Sequence, residues 1–391
     1  MANPGEPLRK LLNNIADEHN YKNPEIIINN ISSGGANYSS KLYTATIKEK
    51  NKEDLNLFGK VAAVGGQLRN KADADVYDTE KFAYTKLMKI YAALEEKHGV
   101  PEEHRLPVVK FYGFDDSAQN QETMVLENLL VQGYEPFDRF KSYDWEYASA
   151  AVTECAKFHA LSFAFQKDDP EEFQKTLGRP KPNWVDMGIE ALLKKATSVA
   201  LKVVRPEHKR SLEKFMSRDI QELFLDFYNP IRATVIIHGD YRGSNLMHRV
   251  RKDGKVDIKI LDLQTLQAGS PITDLIYFIF MGSDEQFRAR YFDQLVEHYY
   301  SQLSAAMRRL HLNPHELFPK KDFDEEFKLK LQYGLTFSVF GLPIVTVTAE
   351  DAPKVDESLS FDDLGIEKTN DLYNVRINGV VDDFVRWGIL K

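Results

Sequence analysis

The sequence predicts an α+β fold with two lobes: a small lobe built on a five-stranded antiparallel sheet, and a larger lobe that is mainly helical. Strand-like apolar runs separated by turns occupy much of the chain before residue 129. From Asp144 onwards apolar residues recur with helical spacing, and two short β-type runs interrupt them near residues 235 and 258. We therefore expect a first domain over residues 1–128 and a second over residues 129–391.

The composition is that of an ordinary globular chain. Of 391 residues, 43% are hydrophobic and 28% are charged, and the net charge is −8. This acidic balance argues against a general binder of nucleic acids or anionic membranes, although it leaves room for a local basic pocket. The lone Cys155 cannot form an internal disulfide, and the N-terminal residues lack the apolar core of a signal peptide. These features predict a cytoplasmic protein, and we expect a monomer.

The small lobe opens with an amphipathic helix, followed by a strand, a glycine turn and a second strand. Apolar residues keep helical spacing from Leu8 to Ile15. Gly34 and Gly35 lie in the turn, where glycine lets the backbone approach a phosphate closely. Most turns of this kind only reverse the chain. The position between the first two strands favours a phosphate-covering loop, because kinases place theirs there.

A third strand contains a lysine, Lys60, among apolar residues. A lysine buried in a sheet is costly without a partner, so its ammonium group either reaches solvent or meets an acid. The helix predicted over about Asp73 to His98 offers Glu80. Asp78 and Lys81 are close to Glu80, so an error of one helical turn would change the pair.

Two further apolar runs complete the small lobe, and the second one leads into the connection between the lobes. They lie at Leu106–Phe114 and Glu122–Leu130. The backbone of an extended connection can pair with the edge of an adenine base. We expect the Glu127 carbonyl and the Leu129 amide to do so; an edge strand without a ligand is the alternative.

The larger lobe begins with one-sided helical periodicity from Asp144 to about Lys167. His159 lies on that apolar face, where a histidine is more often a hydrogen-bonded core residue than a catalytic base. The tract from Lys167 to Lys214 is charged and irregular before it ends in a helix. Tyr333–Ala349 is too short and too interrupted to span a membrane, so we predict a buried helix there. The acidic loop Glu350–Asp371 is expected to be a solvated surface.

The stretch from Val235 to Leu263 carries the clearest chemistry. An apolar run ends in an H-G-D triplet at Asp240, Asn245 follows five positions later, and the next hairpin ends on Asp262. Magnesium prefers oxygen ligands, and a separate carboxylate must orient an acceptor hydroxyl and accept its proton. We assign Asp240 to the base role, and Asn245 and Asp262 to magnesium. Asp and Asn often serve only turns, but these three in this order match the catalytic loop of ATP-dependent phosphotransferases.

At these residues the chain resembles a known group of enzymes. H-G-D-x-x-x-x-N followed by a strand that ends in D-L-Q is similar to the signature of the aminoglycoside phosphotransferase and choline kinase superfamily. Gly269 to Phe278 reads G-S-P-I-T-D-L-I-Y-F, and Gly35 to Ser40 reads G-A-N-Y-S-S. Both resemble motifs of its ecdysteroid kinase-like branch, also called CHK kinase-like. The resemblance covers nearly the whole chain and implies a bilobal protein-kinase-like fold.

The resemblance also implies roles for residues of both lobes. Asn37 and the two glycines before it belong, by this resemblance, to a loop over the ATP phosphates. Lys60 holds the α- and β-phosphates and pairs with Glu80, as in kinases. Asp274 braces the backbone of the catalytic loop. The implied cofactors are ATP and Mg²⁺.

The chain departs from the family pattern at Arg242. Many members have a tryptophan two residues after the catalytic aspartate, whereas this chain has an arginine. Its guanidinium group could reach the γ-phosphate or a substrate anion, or pair with an acid on the surface. We include Arg242 with Asp240 among the candidate catalytic residues.

The predicted reaction is transfer of the ATP γ-phosphoryl group to a hydroxyl of a small molecule. The resemblance suggests a lipophilic alcohol such as an ecdysteroid, a related steroid or a dietary toxin as acceptor. A choline- or aminoglycoside-type acceptor is one alternative, and a nucleotide-binding module without catalysis is another. The sequence lacks the A-P-E segment of protein kinases, the H-E-x-x-H of zinc proteases and the G-x-S-x-G of α/β-hydrolases.

Overall fold

The computed structural model describes residues 5–32, 39–63, 76–118, 120–353 and 360–391. Its first part contains a five-stranded antiparallel sheet in the order β1-β2-β3-β5-β4. The strands are β1 (Glu25–Ile31), β2 (Ser40–Lys48), β3 (Leu55–Ala62), β4 (Phe111–Asp115) and β5 (Thr123–Glu127). Lys60 of the central strand β3 is buried, so its ammonium group needs a partner inside the protein.

Two helices support β3 from opposite faces. Helix α1 (Gly5–Glu18) buries the residues predicted for its core face: Leu8, Leu11, Leu12 and Ile15. Each buried leucine contributes roughly 2 kcal/mol, and Leu8 packs directly on Gly59 of β3. Helix α2 consists of Val76–Phe82, a π-helical turn Ala83–Leu87 and Met88–Lys97. Since successive strand side chains point to opposite faces, Lys60 points away from α1 and towards α2.

The larger part is mainly helical, as predicted. Its helices are α3 (Trp145–Asp168), α4 (Pro170–Leu177), α5 (Trp184–Met187), α6 (Ile189–Val203), α7 (Pro206–Met216), α8 (Ile220–Leu223), α9 (Pro271–Gly282), α10 (Glu285–Arg309), α11 (Pro314–Leu317), α12 (Lys320–Lys330), α13 (Tyr333–Thr346) and α14 (Asp371–Arg386). Polar side chains begin many of them by accepting a hydrogen bond from a first-turn amide: Asp144, Ser270, Asp284 and Asn370 do so for α3, α9, α10 and α14.

Two small sheets position the predicted catalytic loop. Strand β7 (Val235–Ile237) pairs with β10 (Gln267–Gly269), and β6 (Glu135–Pro136), β8 (Leu246–Val250) and β9 (Val256–Ile260) form a three-stranded sheet. The pairing of β7 with β10 returns the chain after Asp262 alongside the chain before Asp240. The segments that carry Asp240 and Asp262, more than twenty positions apart in the sequence, therefore lie beside each other at the end of this strand pair.

Several elements differ from the sequence predictions in extent. Strand β4 begins at Phe111, five residues after the start of the predicted run. The tract after α3 is more helical than expected. The acidic loop before α14 is not wholly solvated, since Phe361 is buried and its ring lies 6.2 Å from that of Trp184.

The helix predicted over Tyr333–Ala349 forms as α13 and is almost entirely buried. Among the described residues, none of the helices combines the length and apolarity that a transmembrane span requires.

Candidate active site

Lys60 joins the small sheet to the loop that follows β9. Its Nζ lies 2.8 Å from Glu80 Oε2 on α2 and 2.5 Å from Asp262 Oδ1, and Gln264 Oε1 is 3.4 Å away. The side chains of Lys60 and Glu80 are 9% and 2% exposed. Two carboxylates from separate parts of the chain thus surround one buried ammonium group.

The charges of this group depend on one another. Burial lowers the pKa of Lys60, but the Asp262 and Glu80 carboxylates outweigh burial and raise it above its ordinary value. Burial raises the pKa of Glu80, and Lys60 offsets only part of that rise. Burial also acts on Asp262, but the adjacent Lys60 ammonium brings the pKa of Asp262 below its ordinary value. Lys60 and Asp262 are therefore both charged at neutral pH.

The backbone of Asp262 is in the left-handed region, at φ 60° and ψ 54°. Non-glycine residues adopt this conformation at a cost and mainly where the surroundings enforce it. In this conformation the Asp262 carboxylate contacts Lys60.

Three predicted phosphate-loop residues lie outside the described part of the chain: Gly34, Gly35 and Asn37. The described part of the chain resumes at Ser39. Ser39 Oγ donates to Gln264 Oε1 over 3.2 Å, and the Ser39 carbonyl accepts a hydrogen bond from the Tyr77 hydroxyl. Because Gln264 also neighbours Lys60, the turn ends beside the Lys60 group.

Asp240, Arg242 and Asn245 form a second charged group in the loop between β7 and β8. Arg242 Nε lies 2.9 Å and 3.1 Å from the two carboxylate oxygens of Asp240. Asn245 Nδ2 donates to Asp240 Oδ2 over 2.8 Å and to the Asp240 carbonyl over 2.9 Å. This orientation leaves Asn245 Oδ1 as the atom that could ligate a cation. Neither Asn245 nor the Asp240–Arg242 pair is well exposed.

Electrostatics connect the two groups. Burial lowers the pKa of Arg242, but Asp240 and, more weakly, Tyr277 and Asp262 raise it above its ordinary value. Burial together with Asp240 raises the pKa of Tyr277 well above its ordinary value, so its phenol stays protonated beside Asp240. Tyr277 belongs to the G-S-P-I-T-D-L-I-Y-F motif, but neither the motif nor its spacing predicts that the phenol lies beside Asp240.

Asp274, at the start of α9, braces the catalytic loop. Its carboxylate accepts the His238 amide over 2.7 Å and the Gly239 amide over 2.9 Å, and its side chain is 1% exposed. His159 of α3 holds Asp274 in place through Nε2 at 3.0 Å and contacts the Tyr299 hydroxyl through Nδ1 at 2.6 Å. The histidine is thus a buried, hydrogen-bonded core residue, as its helical face indicated.

His238 and Gly239 complete this support. His238 Nδ1 accepts the Asp240 amide over 3.2 Å, and Nε2 donates to the Leu261 carbonyl over 2.8 Å. Gly239 has φ +83°, and a Cβ there would lie 2.4 Å from the Thr265 carbonyl oxygen. Glycine is therefore required at this position. The H-G-D triplet is the sequence feature from which the supporting roles of His238 and Gly239 could have been predicted.

The connection between the lobes carries Glu127 and Leu129. The Glu127 carboxylate accepts the Lys110 amide over 2.9 Å and Gln132 Nε2 over 2.7 Å, so its side chain holds the connection rather than a ligand. Leu129 begins a short 3₁₀ turn, where a first amide has no partner within the turn. The Tyr84 hydroxyl is buried without a hydrogen-bond partner among the described residues.

Acidic residues of both the connection and the Lys60 group act on the Tyr84 phenol. Burial raises the pKa of Tyr84 well above its ordinary value, with contributions from Glu80, Asp262 and Glu127. The phenol thus lies between the connection and the Lys60 group. A buried hydroxyl without a partner costs about 1–3 kcal/mol, which a polar ligand group would recover.

A second possible metal site does not fit. Cys155, His159 and Asp274 are the one cluster of three buried ligand-type side chains in the described part of the chain. Both ring nitrogens of His159 already have hydrogen-bond partners, and burial raises the pKa of the Cys155 thiol well above its ordinary value. The cluster is better explained as part of the support for the catalytic loop.

Solved structures similar to this chain include several kinases. A Ralstonia eutropha protein provisionally assigned as an aminoglycoside phosphotransferase is 15% identical, with 94% of this chain and 98% of that chain covered and a TM-score of 0.45. The GDP complex of wild-type aminoglycoside 2'-phosphotransferase-IIIa is 12% identical, covers 86% and 91%, and has a TM-score of 0.46. A glucosamine kinase in complex with glucosamine, ADP and inorganic phosphate is 13% identical, covers 100% and 84%, and has a TM-score of 0.37.

Among curated proteins, no relative matches the chain. The sequence profile of the ecdysteroid kinase-like family matches residues 34–312, which is most of the chain and includes both charged groups. The five-stranded antiparallel sheet and the larger helical part agree with the kinase-like fold that the sequence predicted. The chain belongs to the ecdysteroid kinase-like family.

Proposed function

We propose that the protein is an ATP- and Mg²⁺-dependent kinase that transfers the γ-phosphoryl group to a hydroxyl of a lipophilic small molecule. The observation that carries this proposal is the contact of Lys60 with both Glu80 and Asp262. It joins a strand lysine, a helix glutamate and a metal-binding aspartate in one cluster, the arrangement that kinases require for ATP phosphates. Family membership supports a phosphotransferase of small molecules.

Residues of both charged groups fit magnesium and triphosphate. Asp262 is ionised, and Asn245 Oδ1 offers a second oxygen of the kind that Mg²⁺ prefers. When bound, the metal would neutralise charge on the transferred phosphoryl group. Lys60 is kept charged and fixed by Glu80, so it can hold phosphate oxygens. Gly34, Gly35 and Asn37 are proposed to cover the phosphates, and the Glu127 carbonyl and Leu129 amide to bind the adenine.

Asp240 is the proposed base that orients the acceptor hydroxyl and accepts its proton. Both of its oxygens are engaged here, by Arg242 and by Asn245. An acceptor hydroxyl would therefore share the Asp240 carboxylate with these contacts or replace one of them. We propose that Arg242 leaves Asp240 for a phosphate or substrate anion when the cleft is occupied.

An aromatic group favours a lipophilic acceptor. The Tyr277 ring beside Asp240 lies 5.4 Å from that of Phe337, which lies 6.2 Å from Tyr228. Tyr228 in turn stacks on Trp184 at 6.3 Å. A series of rings leading away from the proposed base suits a steroid-like or other largely apolar alcohol, such as an ecdysteroid, better than a polycationic sugar.

We retain residues 1–128 as the proposed ATP-binding lobe and residues 129–391 as the proposed catalytic and substrate lobe. A cytoplasmic monomer also remains a proposal. The engagement of both Asp240 oxygens is the specific observation that favours a second candidate, a nucleotide-binding module without catalysis.

Turnover of ATP with a panel of hydrophobic alcohols, with products detected by mass spectrometry, distinguishes the two. We expect wild type to form a phosphorylated product, and Asp240→Asn to lose roughly 10²–10⁴-fold in kcat, the usual contribution of a general base. Nucleotide affinity should stay unchanged in the variant. Nucleotide binding without any phosphorylated product would favour the silent module, and equal turnover by both proteins would remove Asp240 from the base role.

A further inference from the structure

Gln264, the last residue of the D-L-Q motif, lies between the two parts of the chain that form the Lys60 group. Its Oε1 accepts hydrogen bonds from Ser39 Oγ over 3.2 Å and from Lys60 Nζ over 3.4 Å. Its Nε2 donates to Asp262 Oδ2 over 3.3 Å. One side-chain amide therefore contacts the residue before β2, the buried ammonium group and a proposed metal ligand.

The orientation of this amide follows from the chemistry of its neighbours. An ammonium group can only donate hydrogen bonds, and an ionised carboxylate can only accept them. The amide oxygen of Gln264 therefore has to face Lys60, and its nitrogen has to face Asp262. A glutamine supplies both the acceptor and the donor without adding a charge.

The backbone that carries Gln264 is held on both sides. Leu263, Gln264 and Thr265 form a short 3₁₀ turn. Leu263 is buried in the core, and Thr265 Oγ1 donates to the His238 carbonyl over 2.8 Å. The side chain of Gln264 thus extends from a backbone that is tied both to the core and to the catalytic loop.

Both carboxylate oxygens of Asp262 contact a partner from this chain. Lys60 Nζ lies 2.5 Å from Oδ1, and Gln264 Nε2 holds Oδ2. Contacts on both oxygens fix the rotation of the carboxylate group. Each oxygen can accept more than one contact, so Asp262 can keep these partners and still ligate a cation. Gln264 therefore sets the direction in which Asp262 offers its oxygens.

The neutrality of Gln264 has a separate consequence. Lys60 already faces two carboxylates, those of Glu80 and Asp262. A glutamate at position 264 would add a third and could not donate to Asp262. Mg²⁺ sites of phosphotransferases commonly use one or two carboxylates together with substrate phosphates, rather than a cage made by the protein alone. A neutral residue at position 264 keeps the site in that class.

We propose that Gln264 is a positioning residue with two effects. It orients the Asp262 carboxylate, and its neutral amide makes binding of the divalent metal depend on the nucleotide. This inference rests on the proposed ATP and Mg²⁺ site, but it requires neither an acceptor nor turnover.

Binding of Mn²⁺ without nucleotide tests the effect of charge. Mn²⁺ serves as the probe because its free form is measured directly by electron paramagnetic resonance. The full-length wild type should bind Mn²⁺ alone only weakly. Gln264→Glu should bind it about tenfold more tightly, because a third carboxylate beside Lys60 adds attraction for a dication.

Gln264→Ala tests the orientation of Asp262, because it removes the contact and adds no charge. Calorimetry with AMP-PNP should show binding about tenfold weaker than wild type in the presence of Mn²⁺. Binding of AMP-PNP without metal should stay close to wild type, and Mn²⁺ alone should bind as weakly as to wild type. A merely structural defect would weaken AMP-PNP binding with and without metal alike.

Gln221 provides the matched control, since its Nε2 donates to Asp226 Oδ1 over 2.6 Å on the exposed surface. Gln221→Ala and Gln221→Glu repeat both substitutions beside an aspartate that lies outside the proposed site. Both variants should keep the wild-type affinities for Mn²⁺ and for AMP-PNP.

Equal affinity of wild type and Gln264→Glu for Mn²⁺ alone would overturn the effect of charge. Wild-type binding of AMP-PNP with Mn²⁺ by Gln264→Ala would overturn the positioning role. A wild type that binds AMP-PNP with Mn²⁺ but phosphorylates no alcohol would count against the kinase function and leave both roles of Gln264 supported. A wild type that binds no AMP-PNP would overturn the kinase function and the positioning role, whereas Mn²⁺ alone would still decide the effect of charge.

Discussion

The two charged groups of the proposed active site are balanced in different ways. Around Lys60, one ammonium group meets two carboxylates, and the group connects the small sheet, α2 and the loop after β9. Around Arg242, one guanidinium group meets one carboxylate. The first group holds one carboxylate more than Lys60 can match, which suits Mg²⁺, whereas the two charges of the second group match each other.

The difference indicates which ligand each region needs. In the Lys60 group a metal ion would compensate the second carboxylate. In the Arg242 group the guanidinium group and the Asp240 carboxylate already compensate each other, so a ligand competes with that contact. The proposed nucleotide end is thus assembled before binding, whereas the proposed acceptor end rearranges when its ligand binds.

Removal of the Lys60 charge should have the largest effect. Lys60→Met leaves Glu80 and Asp262 buried without their shared cation, and breaking a buried pair in this way costs about 3–5 kcal/mol. Urea unfolding should show that loss, and phosphoryl transfer should fall at least roughly 100-fold. In Lys60→Met/Glu80→Gln most of the stability should return but the turnover should not. An unfolding free energy equal to wild type in the single variant would show that the two carboxylates are not held by Lys60.

Asp274→Asn tests whether the base is positioned by buried support or by Arg242 alone. Asparagine can accept only through one oxygen, so one of the two loop amides would face an NH₂ group instead. We expect a stability loss of about 2–3 kcal/mol and a fall in kcat at unchanged nucleotide affinity. Asp383→Asn is the matched control, because Asp383 is fully buried and bonded to Arg288 in the helical lobe. It should lose stability without a comparable fall in kcat for the folded protein.

The parts of the site that could be predicted are those that local sequence specifies. The spacing along one loop and one hairpin predicted the roles of Asp240, Asn245 and Asp262. Lys60 could be identified because it is a charged residue within an apolar strand. Its proximity to Glu80 could be anticipated because the helix that carries Glu80 is the next one predicted along the sequence. The pairing of β1, β2 and β3 follows their order in the chain, whereas the pairing of β3 with β5 skips β4 and is not specified by short connections.

The remaining features depend on contacts between distant segments. Gln264 contacts Ser39, which precedes it by more than two hundred residues. The placement of Tyr277 beside Asp240 depends on how α9 packs on the catalytic loop. No periodicity or motif spacing records such contacts, because they are a property of the packed interior.

Arg242→Gln should have a smaller effect, concentrated in turnover. The guanidinium group contacts Asp240 and lies away from Lys60, so we expect kcat to fall about 10–100-fold while the KM for ATP changes little. Arg249→Gln is a matched control, since Arg249 pairs with Asp257 in the neighbouring β8–β9 hairpin. It should leave kcat unchanged. Similar losses in both variants would mean that Arg242 matters only for the local fold.

Glu95 is a buried carboxylate that has, among the described residues, no contact like that of Glu80 with Lys60, so its titration shows how burial affects the free energy of unfolding. Burial raises its pKa to about 7, and the Leu106 amide, which donates to Oε1 over 2.6 Å, only partly opposes this. Since the folded state holds a proton that the unfolded state releases above about 4.5, the contribution of Glu95 to stability is full below that pH and is lost as pH rises through about 7. Glu95→Gln keeps an acceptor for Leu106 and removes the titration. We expect the variant to be more stable than wild type at pH 8 by on the order of 1–2 kcal/mol, and the two proteins to be similar at pH 4.5. Urea unfolding across this range checks the sign, and a difference that grows towards acid would contradict it.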